Sequence, residues 1–231
     1  MTQSSSSPTS PHSPPLPHKK FRLGVFGGTF DPVHFGHLLL AETCREAGGL
    51  DEVWFVPAAI PPHKQDLDLT PGKQRIEMLE LALAGHPALK VSPLEIERGG
   101  VSYTVDTLSA IHEMRPNADI YFLMGADSLR DLPTWREPDR VCELATPLVV
   151  RRAGSPDPDF EPLARFISPE RLAIIRRQLV EMPLIEISST DLRRRIAQKQ
   201  SIRFCMPRAV EKYIETHHLY GKSESQSDSP T

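Results

Sequence analysis

The chain has 231 residues, 27 basic and 30 acidic, with a formal net charge of −3. That length suffices for one α/β domain with a full core, or for one domain and a small subdomain. The balanced charge gives no basic footprint for nucleic acid, no apolar run approaches the ~20 residues that cross a bilayer, and Cys44, Cys142 and Cys205 form no CxxC pair, so neither a disulfide framework nor a zinc site is indicated and a reducing cytoplasm fits.

Residues 1–18 are rich in Ser and Pro and lack the apolar core of a secretory signal. Their prolines would break the amphipathic helix of an organellar transit peptide. A disordered tail is expected over 1–20, a single domain over 21–220 and a second flexible tail over 221–231.

The first element is a buried strand, 22–26, which Gly27 and Gly28 break into a tight turn. Thr29 to Pro32 continue that turn, and His34-Phe35-Gly36-His37 opens an apolar helix over 36–47. A glycine turn lets backbone N–H groups approach an anion, and a helix start adds donors and the positive end of a dipole. His34 and His37 are three apart and share one side of the first turn. They would suit a polyphosphate undergoing chemistry. Half of a metal site and plain solvated helix-start residues are the other readings, and no Cys or acidic partner sits nearby at ligand spacing. Asp31 reads as a turn residue rather than a ligand.

A strand over 52–57 follows, then the proline-rich stretch PAAIPPHKQDLDLTP at 57–71. It is long for a βα connection, which points to function. Further expected elements are a helix over 72–84, a strand over 89–92, a helix over 104–114 and a strand over 119–124. A helix over 138–144 and a strand over 147–151 come next. Residues 153–162, AGSPDPDFEP, read as a flexible surface insertion. The remainder is a helix over 169–180, a strand over 184–187 and helices over 188–198 and 207–217. No internal repeat is visible. Short apolar strands alternating with helices argue for a doubly wound parallel sheet with helices on both faces and a small C-terminal helical part. In such sheets ligands bind at the carboxyl ends of strands, beside the switch point.

Ile187-Ser188-Ser189-Thr190-Asp191-Leu192-Arg193 follows an apolar strand and starts an arginine-rich helix. Ser188 fits an N-cap. Capping alone leaves Ser189, Thr190 and Arg193 unexplained, whereas helix-start N–H groups, hydroxyls and a guanidinium together make an anion clamp. Arg194 and Arg195 read as a solvated face.

GGTFDPVHFGH and ISSTDLR resemble, in order and spacing, the HxGH and ISSTxxR motifs of a nucleotidyltransferase superfamily. PPHK at 61–64, SYTVDTL at 102–108 and GADSLRDLPTW at 125–135 are similar to segments of the bacterial nicotinate-nucleotide adenylyltransferase family. The likeness spans about residues 22–220. It implies a Rossmann-like fold and transfer of the adenylyl group of ATP to nicotinate mononucleotide, with Mg²⁺ carried on the ATP. ATP and that mononucleotide are thus the expected partners, and a homo-oligomer is left open.

By this resemblance His34, His37 and Arg193 are catalytic. Gly27, Gly28, Thr29, Phe30, Ser188, Ser189 and Thr190 hold ATP phosphates. Trp135 stacks on the pyridine, unless it is a core residue. Tyr103 and Thr104 offer donors to the carboxylate. Asp127 bonds a ribose or caps its helix. His63 and Lys64 reach phosphates or remain solvated. Arg136 stands where the family often has an aromatic; it pairs with the carboxylate or points into water. No protein metal ligand is expected. The same reaction on nicotinamide mononucleotide and a catalytically inactive nucleotide-binding module are the alternatives.

Overall fold

The computed structural model describes residues 20–62 and 69–221. The expected tails lie outside it apart from Lys20 and Gly221. Strands β1 (Arg22–Gly28), β2 (Glu52–Pro57), β3 (Leu89–Val91), β4 (Asp119–Gly125), β5 (Thr146–Arg152) and β6 (Leu179–Met182) form one sheet in the order β3-β2-β1-β4-β5-β6. Every pairing is parallel.

Both sheet faces are covered, which is why the strands read as apolar runs rather than alternating ones. Along β2, Val53 and Phe55 enter one core, whereas Trp54 and Val56 enter the other. The first core is closed by α1 (Phe35–Gly48), α2 (Gly72–Leu83), α8 (Ser189–Ala197) and α9 (Arg208–Thr216), through Ala41, Leu79, Leu192 and Val210 among others. The second is closed by α4 (Thr104–Met114), α5 (Ala126–Asp131), α6 (Pro138–Leu144) and α7 (Pro169–Arg176), through Leu108, Leu129, Val141 and Ile175. The C-terminal helical part therefore lies on the first face, where α9 packs against α2. This is a Rossmann-like α/β fold.

Most expected elements fall within two residues of those observed. The sixth strand is a correction. It occupies Leu179–Met182, not 184–187, and α7 stops at Arg176 instead of running to 180. Val180 and Met182 are buried while Glu181 is exposed, the period of a strand. Pro183 has no N–H to continue the ladder, and Leu184 beyond it is exposed. Short α3 (Leu94–Arg98), α5 and the 3₁₀ turns Leu132–Thr134 and Glu161–Arg165 carry too few turns to show a helical period. Cys44 and Cys142 are buried as expected, but Cys205 is only half-buried. No helix among the described residues is long and apolar enough to cross a membrane.

The fold opens its crevice at one place. β2 and β4 flank β1, in register through Phe26–Phe55 and Val25–Phe122, and the connections leaving β1 and β4 diverge to opposite faces. The switch point thus lies at the carboxyl ends of β1 and β4.

Candidate active site

The turn leaving β1 is set by Phe30. Its backbone is left-handed (φ 50°) and its ring is 2% exposed, packed edge-on against Phe26 with centroids 5.3 Å apart. A side chain on Gly28 would place its Cβ 2.9 Å from that ring. Phe30 therefore anchors the turn in the core, and only its main chain is available to a ligand. Arg75, buried in α2, fastens the same turn: its Nη1 donates to the carbonyls of Thr29 (3.0 Å) and Ala58 (2.7 Å), and its Nε to that of Thr70 (2.8 Å).

His34 is the N-cap residue of α1, whose first turn holds no acidic side chain. The His34 and His37 rings stack 3.7 Å apart, 25° from parallel. Gly36 makes room for this, since a Cβ there would come within 3.0 Å of the His34 ring. The His34 main-chain N–H donates to His37 Nδ1 (3.3 Å). That bond places the His37 proton on Nε2. His34 is 5% exposed, and its Nδ1 is buried with no hydrogen-bond partner among the described residues. Burial lowers the His34 pKa to about 4. It holds His37 well below 6.5 too, with the His34 ring adding to the effect. His37 as a residue is half-buried, and the crowding around its ring governs its titration. Both imidazoles are neutral at pH 7.

The second motif meets the first across the sheet's end. Ser188 caps α8, accepting the Asp191 N–H (3.1 Å). Ser189 donates its hydroxyl proton to the Pro32 carbonyl (2.9 Å). Arg193 Nη1 donates to the Asp31 carbonyl (2.6 Å), and its Nη2 reaches Thr190 Oγ1 (3.4 Å). Ser188 and Thr190 are exposed beside this cluster. Ser189 differs, because its proton is spent on joining the two motifs. Arg194 pairs with Asp191 and Arg195 holds the Ser201 carbonyl.

A cavity of about 370 Å³ adjoins the turn at the switch point. Gly27, Gly28 and Thr29 form one side; Tyr103, Thr104, Trp135 and Arg136 form the other. Trp135 stands edge-on to Phe122, centroids 6.0 Å apart, and is half-buried on the cavity wall. No side chain caps α4 at its Tyr103 end, so the first-turn N–H groups are available to an anion. Arg136 lies over the Tyr103 ring, 4.9 Å from its centroid, with Asp106 and Glu137 each 3.5 Å from the guanidinium. Asp127 is not on the wall: its carboxylate is exposed and bound by Arg130 (2.8 Å), and Ser128 lines the cavity instead. His63 and Lys64 lie outside the described residues.

Two buried polar residues, Arg75 and Glu95, and the half-buried Tyr220 are not singled out from the sequence. Arg75 had a signal, since it interrupts the apolar face that Met78 and Leu79 continue at i+3 and i+4. Glu95, on the cavity wall and 6% exposed, accepts the Thr107 hydroxyl (2.6 Å). Tyr220 donates to Asp31 Oδ1 (2.6 Å). Nothing local marks the latter two.

A glycine turn, paired neutral imidazoles and an arginine-bearing helix start are thus assembled at the switch point of a Rossmann-like sheet, and the comparisons with known proteins show a nucleotidyltransferase. Residues 25–195 match the model of the cytidylyltransferase-like family. A Thermomicrobium roseum protein named "Probable nicotinate-nucleotide adenylyltransferase" is 44% identical over 210 residues, covering 91% of this chain and 96% of that one. Proteins of the same name from Geobacillus thermodenitrificans (40% identical, 90% and 89% covered) and Thermus thermophilus (44%, 86% and 99%) are similar throughout. The chain belongs to this nicotinate-nucleotide adenylyltransferase family. The fold is shared with Plasmodium falciparum nicotinic acid mononucleotide adenylyltransferase complexed with NaAD, at a TM-score of 0.66 and 19% identity over 87% of this chain and 97% of that one.

Proposed function

We propose that this chain transfers the adenylyl group of ATP to nicotinate mononucleotide, giving deamido-NAD (nicotinate adenine dinucleotide) and pyrophosphate. One observation carries the reading. The Gly27–Thr29 turn borders the aromatic-walled cavity and leads directly into the His34–His37 pair, so an acceptor in the cavity and a triphosphate on the motifs would meet across it. The name of the relatives specifies the same acceptor.

The acceptor phosphate is largely ionised at neutral pH and needs no strong base. Its oxygen attacks the α-phosphorus in line, the bond to the α–β bridging oxygen breaks, and pyrophosphate leaves with the electron pair. Catalysis then rests on positioning and on stabilising charge. His37, with its proton on Nε2, is a neutral donor toward the α-phosphate, and His34 lines the same site. The main chain of Gly27 to Phe30 cradles phosphates. Arg193 and Thr190 hold the departing β- and γ-phosphates, joined by Ser188, which keeps its hydroxyl proton while capping α8. Ser189 serves by tying the motifs together.

In the cavity Trp135 offers a face to the pyridine, and the uncapped start of α4 (Tyr103, Thr104) receives its carboxylate. Arg136 acts on that carboxylate at a distance, since it neutralises Asp106 in the first turn of α4. Lys64 is a further phosphate contact. Asp127 serves the ribose by exchanging Arg130 for it. Among the described residues no group of three or more His, Cys, Asp or Glu could hold a metal ion. The Asp31 carboxylate is buried and bonded to Tyr220 and Thr70, which does not fit a ligand. Mg²⁺ enters with ATP, held by phosphate oxygens and water.

The test is pyrophosphate release from Mg-ATP with nicotinate mononucleotide, nicotinamide mononucleotide or phosphopantetheine as acceptor. Release with the nicotinate compound at the highest kcat/KM is expected. A clear amide preference would overturn the acid assignment, and release with phosphopantetheine alone would overturn the reading of the cavity. No release with any acceptor would leave a nucleotide-binding module.

A further inference from the structure

We propose that Tyr220, after the last helix, is a positioning residue for the catalytic turn, holding Arg193 and the paired histidines in place through Asp31. The inference rests on the adenylyl-transfer reading above, and it extends the machinery to a part of the chain that neither motif includes.

Asp31 is 2% exposed. Its Oδ1 accepts the Tyr220 phenol (2.6 Å) and its Oδ2 the Thr70 N–H (3.3 Å). Its own carbonyl accepts Arg193 Nη1, and the next carbonyl, of Pro32, accepts the Ser189 hydroxyl. One dipeptide is therefore gripped from two sides. The C-terminal turn and the loop before α2 hold the carboxylate, while α8 holds the carbonyls. Shifting the carboxylate shifts the carbonyls to which Arg193 is aimed. His34 follows Pro32 by two residues, so the imidazole pair is carried on the same short span.

The segment bearing Tyr220 is built for this contact. His218 and Tyr220 both have left-handed backbones (φ 51° and 64°). Such conformations cost a non-glycine residue energy and persist where surrounding contacts require them. The Leu219 N–H returns to the Ile214 carbonyl (3.1 Å), and Leu219 and Tyr220 pack against the first core. The reversal after α9 sends the phenol back under the turn, 189 residues away in sequence. A buried carboxylate that loses its donor must move or find another. Burial and the adjacent Asp31 carboxylate raise the phenol pKa, so the donor keeps its proton at all working pH values. Arg193 lies close enough to act on the phenol.

The experiment is Tyr220→Phe in the full chain, which keeps the ring and removes the donor. ATP affinity is read by calorimetry without acceptor, and kcat and both KM values by pyrophosphate release, well below the melting temperature. The expected result is an ATP Kd about tenfold weaker and a kcat lower by about ten- to a hundredfold, because misplacing catalytic groups by about 1 Å can cost about a hundredfold. The KM for the pyridine nucleotide should stay within about twofold, since Tyr220 is not among the residues that line the cavity. A folded variant with wild-type ATP affinity and kcat overturns the proposal, as does a change confined to melting temperature. Should Tyr220→Phe not fold, the double variant with Asp31→Asn removes the uncompensated charge and still lacks the tether. The same losses are expected of it, and wild-type turnover would again overturn the proposal. The calorimetry needs no acceptor, so an error about the acceptor would show in the wild-type enzyme and leave this test standing.

Discussion

Arg193 Nη1 donates to the main-chain carbonyl of Asp31 at 2.6 Å, across 162 residues of sequence. The arginine of the second motif is thereby aimed by the backbone of the first, and the two motifs form one cluster. Its fork allows one arm to keep the tether while the other nitrogens face a ligand, a division that a single ammonium cannot make.

Arg193→Lys should therefore lose on the order of a hundredfold in kcat/KM for ATP, although charge is conserved. Steady-state kinetics with ATP varied at saturating acceptor measure it. A loss of less than threefold would mean that charge alone suffices there.

His37 makes a different kind of contribution. Its ring is fixed by the His34 main-chain N–H and by Phe30, whose ring lies edge-on 5.1 Å away. The imidazole is thus set before substrate arrives. His37→Ala should lower kcat by about two to three orders of magnitude while changing ATP affinity little, because the contact strengthens as charge builds in the transition state. Unchanged turnover in a folded variant would remove His37 from the mechanism.

The histidines also fix a pH dependence. Folded His34 titrates at about 4, lowered by burial, whereas in an unfolded chain it titrates near 6.5. Between those values the unfolded state binds more protons, so stability declines as pH falls through the window and is regained above about 6.5. By pH 4 His34 alone accounts for about 3 kcal/mol of that decline, and His37 acts in the same direction. Urea midpoints at pH 7, 5.5 and 4.5 should fall, less steeply in His34→Asn; equal slopes in the two proteins would contradict the assignment. Triphosphate charge raises an imidazole pKa, so ATP binding near about pH 5 should take up protons, measurable by calorimetry in buffers of differing ionisation enthalpy.

The legible part of this molecule is local. The turn after β1, the helix starts at His34 and Ser188, and the apolar strands each announce themselves within a few residues, because sterics and burial act at that range. Pairing is not local: 184–187 has a strand's composition, yet Pro183 hands the sixth place in the sheet to Leu179–Met182. The buried polar ties are less visible still. Tyr220 and Glu95 acquire meaning only from partners brought by folding, whereas Arg75 betrays itself by sitting in an apolar face. Likewise no local pattern shows that Arg136 lies over Tyr103 and beside Asp106, partners that α4 brings to it.

Glu95 offers the clearest separation of the two halves of the site. It sits on α3 and accepts the Thr107 hydroxyl at 2.6 Å. A hydrogen bond from Ser102, whose Oγ accepts the Ala59 N–H (2.9 Å), holds it as well. Ser102 and Thr107 bracket Tyr103 and Thr104, so one carboxylate sets the aim of the α4 start toward the cavity. Burial raises the Glu95 pKa, while the Thr107 and Ser102 bonds and the nearby Arg98 oppose that rise. In Glu95→Ala the Ser102 hydroxyl loses its carboxylate partner, and Thr107 keeps only the longer bond to the Tyr103 carbonyl (3.3 Å). Stability should drop by roughly 1–3 kcal/mol, and the KM for the pyridine nucleotide should rise about tenfold as the helix start loosens. ATP affinity should hold, because the His34, His37 and Arg193 cluster shares no hydrogen bond with Glu95. Parallel loss of ATP and acceptor binding would instead show that the cavity and the phosphate site move as one body.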